Sequence, residues 1–172
     1  MGVTAVLAAL VAGLAFGAAG DARFARDGIS IRVPEGWRLA TGRINGVVDP
    51  VSVFTVSTFR FQPRPGSPSS GVCSAVLRRA WRPGGAYVQL TEERDGASRT
   101  RMLRHVPHRP RRFKLDAKGW GGLCTPPDSG EFSFQSHGRA FYVFYGFDPK
   151  ASMKVRAAAA AMLDNMQIRP RR

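Results

Sequence analysis

Eight basic side chains lie between positions 99 and 118: Arg99, Arg101, Arg104, Arg109, Arg111, Arg112, Lys114 and Lys118. Asp116 is the only acid in the stretch. Cations at this density suit a polyanion, a polymer bearing phosphates or carboxylates, or an anionic surface, with affinity that falls as salt rises. The candidate anion-binding residues are Arg104, Arg109, Arg111, Arg112 and Lys114. The last four occupy six positions beside two prolines, which predicts an exposed, extended segment. The competing reading is a solvated Arg/Pro-rich loop with no partner. Nucleic acid is the second functional reading for 99–118. It calls for interleaved aromatics to stack on bases, and only Phe113 is embedded there. No helix-turn-helix, zinc-finger or RNA-recognition pattern accompanies it.

Other chemistry finds few residues to work with. His105 and His108 have ligand-like spacing, but Pro107 intervenes and the surrounding arginines repel a divalent cation. No metal or cofactor is expected. His137 reads as a turn residue. Gly71-Val72-Cys73-Ser74-Ala75 departs from the G-x-S-x-G of a nucleophile elbow. Glu92 and Glu93 are neighbours on a predicted strand, so they point to opposite faces and cannot act as a carboxylate pair. Neither Gly84-Gly85 nor Gly121-Gly122 carries the flanking residues of a phosphate loop. The expectation is a protein without catalysis, with a hydrolase as the third reading.

The two cysteines, Cys73 and Cys124, are 51 positions apart. Neither belongs to a C-x-x-C pair, and an even pair in an exported chain reads first as a disulfide. The first twenty residues support export. They carry no charged side chain and end in Gly17-Ala18-Ala19-Gly20, after which Asp21, Arg23, Arg26 and Asp27 follow at once. That is the layout of a signal peptide over 1–20. A weak N-terminal membrane anchor is the alternative. The expected location is secreted or extracytoplasmic.

The remaining length, 21–172, is enough for one domain. Of 172 residues, 44% are hydrophobic and 22% charged, ordinary values for a chain with a core. Lys+Arg number 26 against 12 Asp+Glu, a formal net charge of +14. A surplus of that size bears on association and solubility, not on fold.

Periodicity places the elements. Ile29, Ile31 and Val33 alternate with polar residues, which predicts a half-buried strand closed by Pro34-Glu35-Gly36, with Trp37 as a core anchor. Residues 51–61 are apolar in both parities, as in a strand covered on both faces. A helix is predicted over 72–82. A strand is predicted over 86–92, with Ala86, Val88 and Leu90 on one side. Residues 95–130 show no clear pattern. Then 131–136 alternates, His137-Gly138-Arg139 turns, and 140–147 reads as a central strand. Asp148-Pro149 predicts a helix start, and the Ala-rich stretch to 166 carries the core stripe Val155, Ala159, Met162 and Met166 with Leu163 beside it.

In order, "DGISIRVPEGW", a long apolar strand, "GEFSFQSHGRAFYVFYGFDP", an Ala-rich helix and "LDNMQI" resemble small exported proteins of high-GC Gram-positive bacteria with a PsbP-like α+β sandwich fold. The resemblance covers about 25–60 and 130–170. It implies an antiparallel sheet with helices packed on its faces, the C-terminal helix over 149–166, and a binding or accessory role without catalysis. The combined expectation is one α+β domain, taken as a monomer. Its partner would be an anionic cell-envelope polymer or membrane surface, with nucleic acid disfavoured.

Overall fold

The computed structural model describes residues 22–40, 50–60, 80–116 and 128–171. The protein is α+β, with two antiparallel sheets and two helices among the described residues. A five-stranded sheet has the order β3 (Arg38–Ala40), β4 (Val51–Ser57), β5 (Ala86–Glu93), β7 (Arg139–Phe147), β6 (Asp128–Ser136). A smaller sheet joins β1 (Arg23–Arg26), β2 (Ile29–Arg32) and β8 (Gln167–Ile168). The helices are α1 (Gly96–His105) and α2 (Met153–Asp164). Two tight hairpins set the register. Asp27-Gly28 joins β1 to β2 and His137-Gly138 joins β6 to β7, and all four turn residues have positive φ, between 49° and 73°. Mirror-image turns of this kind match the twist of the strands they connect.

The core lies between the two sheets. Ile29, Ile31 and Val33 project from the smaller sheet, and Val56, Val88, Leu90, Phe134, Phe141, Val143 and Phe147 from the larger one. Helix α2 adds the expected stripe: Ala159, Met162 and Leu163 are buried, Met166 follows just past the helix, and Val155 packs at the margin. The helix is shorter than the 149–166 expected, because Ser152 is its N-cap, accepting from the Val155 N–H at 3.3 Å. Asp148 serves a different turn. Its carboxylate accepts from the N–H groups of Gly84 and Lys150, both at 2.9 Å, and from the Trp81 indole at 3.3 Å. The unpatterned middle contains α1, with Asp95 as its N-cap and only Met102 buried along its length. One buried residue in ten leaves no stripe to read.

The other face of the large sheet is unusual. Tyr87, Gln89, Thr91 and Glu93 alternate with the core residues of β5, yet every residue of that strand is buried. Thr55 on β4 pairs with Gln89, and Ser129 on β6 shares the same face through Gly146. Thr55 Oγ1, Tyr87 Oη, Gln89 Nε2, Thr91 Oγ1 and Ser129 Oγ are buried with no hydrogen-bond partner among the described residues. An orphan polar group of this kind costs about 1–3 kcal/mol.

A basic strip as candidate functional site

The segment after α1 lies along the edge of β6. The Arg109 N–H donates to the Gln135 carbonyl and the Gln135 N–H to the Pro107 carbonyl, both at 2.9 Å, closing a parallel bridge between His108 and Gln135. The Gln135 amide also donates to the Leu103 and Val106 carbonyls, at 3.0 and 2.8 Å, fastening the end of α1 to the face opposite the core. A strand edge is thereby covered and kept from pairing with another chain.

Side chains along the segment divide sharply between inside and outside. Phe113 is buried against Phe132 and Phe134, with ring centroids 5.4 and 5.6 Å away. Arg109 also turns inward. One of its terminal nitrogens donates to the Leu163 and Asp164 carbonyls, each at 2.9 Å, and its guanidinium lies 5.7 Å from the Phe113 ring centre. A cation on the last carbonyls of a helix meets the negative end of its dipole. Burial pulls the Arg109 pKa down, and the Asp164 carboxylate opposes that shift. Asp164 in turn accepts from the Phe113 N–H at 2.7 Å.

Of the five candidates, Arg104, Arg111, Arg112 and Lys114 are exposed as expected, and none makes an ion pair among the described residues. Arg101, one helical turn before Arg104, is also exposed. Arg109 departs from the expectation and holds the segment in place. Its short spacing from Arg111 gave no sign of this, because its partners are main-chain carbonyls more than fifty residues away. His105 and His108 are exposed as well, and no group of three metal-binding side chains occurs among the described residues. Cys73, Cys124, Lys118, the first twenty residues and nearly all of the helix expected over 72–82 lie outside the described residues.

Two of the acids, Glu92 and Asp27, are held in ion pairs. Glu92 is 1% exposed and accepts from Arg139 Nε at 2.7 Å, and from Arg94 and Arg171 at 3.2 Å each. Arg139 also donates to the Asp27 and Arg169 carbonyls, at 2.9 and 3.0 Å. Arg94 reaches the Asp27 carboxylate at 2.8 Å and, with its charge, holds that group below the ordinary carboxylate range. This network binds the β1–β2 turn and the C-terminal tail to the large sheet.

No helix among the described residues is long and apolar enough to cross a membrane. In comparisons with known proteins, no family model, curated protein or solved structure matches this chain.

Proposed function

We propose that the protein is an exported, non-catalytic binding module that engages anionic polymers through Arg104, Arg111, Arg112 and Lys114. The observation that carries this reading is their presentation. Four cations, without an ion pair among the described residues, project from a segment that the Arg109 cap, the Phe113 plug and the Gln135 bridge hold in place. A held segment loses less entropy on binding than a free loop does. The burial of Phe113 favours phosphate or carboxylate polymers over single-stranded nucleic acid, since the one aromatic of the strip cannot stack on a base. Such an interface has no use for a nucleophile or a base, in keeping with the accessory role that the sequence resemblance implies. The test is direct binding to long-chain polyphosphate, with anionic and neutral vesicles in parallel. Binding to polyphosphate at low salt supports the reading. Binding to anionic vesicles alone moves the partner to a lipid surface. Indifference to both anionic partners refutes it.

A further inference from the structure

Between the smaller sheet and helix α2 lies a cavity of about 550 Å³, lined by none of the strip's cations. It follows from the brevity of β8, which pairs with β2 only at Ile29 and Ser30. Beyond Ser30, Ile31 and Arg32 face α2 across a gap. Where larger side chains would close that gap, the helix presents Ala158 and Ala161, one turn apart. We propose that this cavity binds an amphiphilic anion, an oxyanion head on a short hydrocarbon body.

The lining divides by chemistry. Pro34, Ala158 and Ala161 form apolar walls over the buried Ile31 and Met162, a surface suited to methylene groups. Arg23 and Arg32 supply the charge. They are direct partners in the β1–β2 register, so both side chains leave the same face of the smaller sheet. Like charges placed opposite each other destabilise a strand pair, and an oxyanion beside them reverses that sign. Guanidinium forks match the paired oxygens of a carboxylate or phosphate. Ser30 and Gln167, also partners in register, line the cavity too, and the Ser30 hydroxyl donates to Gln167 Oε1 at 3.5 Å. That leaves the Gln167 amide nitrogen as a further donor. Among the described residues, no acid lines the cavity. Its volume falls within the roughly 300–1,000 Å³ of small-molecule sites. The basic strip offers charge along a surface, whereas this site joins charge to an enclosed apolar wall and so selects a small ligand.

The test uses the full chain with butanoate, hexanoate, octanoate and the matched alkyl phosphates, read by calorimetry and saturation-transfer NMR. Acetate and inorganic phosphate present the head alone, and octanol the body alone. Affinity should rise about two- to fourfold per added methylene until the cavity is full. Acetate, inorganic phosphate and octanol should each bind about tenfold or more weaker than octanoate. Ala161→Leu fills the cavity from an exposed helix position that leucine suits, and Arg23→Gln removes one charge. Each should weaken octanoate about tenfold or more, with melting temperatures close to wild type. Should Ala161→Leu fail to fold, the exposed Arg23→Gln decides alone. Stronger binding of carboxylates identifies an organic or fatty acid as the ligand, and stronger binding of alkyl phosphates a phosphate-bearing lipid. No binding by any chain-bearing anion overturns the proposal, as does binding that neither variant weakens. Octanol binding as well as octanoate also overturns it. So does octanoate binding that vanishes when the four strip cations are neutralised, whereas polyphosphate binding by the strip stands or falls separately.

Discussion

Arg109 and Asp164 are linked through two different parts of the same aspartate. The Arg109 guanidinium donates to the Asp164 carbonyl at 2.9 Å, and the Asp164 carboxylate accepts the N–H of Phe113, four residues beyond Arg109, at 2.7 Å. The end of α2 and the basic segment therefore hold each other. Arg109→Ala should destabilise the protein by about 1–2 kcal/mol, the range for a partly buried cation at a helix C-terminus. Arg111→Ala and Arg112→Ala should each stay within about 0.5 kcal/mol of wild type, as exposed substitutions do. Urea titrations of the three variants check this contrast. Equal effects would mean that Arg109 is an ordinary surface cation.

Glu92 is the single carboxylate on which Arg94, Arg139 and Arg171 converge. Glu92→Gln keeps the shape and removes the charge, leaving the buried Arg139 without its counter-ion. Breaking one side of such a buried pair costs about 3–5 kcal/mol. Chemical denaturation should show a loss in that range. A loss below about 1 kcal/mol would mean that water, not Glu92, balances Arg139.

Asp148 gives a pH signature. The N–H groups of Gly84 and then Lys150, with the Trp81 indole, hold its carboxyl below the ordinary value of 3.8. A depressed carboxyl contributes stability that is fully present above the ordinary value and is lost as pH falls through the lower, folded one. Asp148→Asn should therefore melt below wild type at neutral pH, with the gap narrowing in acid below about pH 4. Melting curves across that range decide it, and a gap constant down to pH 3 would contradict the assignment.

The readable parts of the sequence were those with strong periodicity. Ile29, Ile31 and Val33, the hairpin around His137 and the Met162–Met166 stripe all occupy the places that their spacing predicts. Helix α1 was illegible because its sequence is arginine-rich and buries a single methionine. Strand β1 was hidden for a related reason: its charged residues read as the start of a mature chain, whereas Asp27-Gly28 turns them into a hairpin partner for β2. The four exposed cations of the strip could be found from composition, but the inward turn of Arg109 could not, since composition cannot see which carbonyls a folded chain brings near. The buried polar face escaped for the opposite reason. Alternation in 86–92 marks which residues share a side, and it does not say that the polar side is covered too.

Binding of anionic polymers by the strip of exposed cations is a proposal that salt dependence can decide. Its most direct test is the affinity for fluorescently labelled long-chain polyphosphate across a sodium chloride series, for the wild type and for the variant Arg104→Gln, Arg111→Gln, Arg112→Gln, Lys114→Gln. Wild-type affinity should fall steeply with salt. Each engaged cation should contribute roughly 0.7–0.9 to the log–log slope, if polyphosphate behaves as nucleic acids do. The variant should fold as the wild type does, bind more weakly at low salt and show a flatter slope. A variant with unchanged affinity and slope would mean that these four cations are not the binding surface.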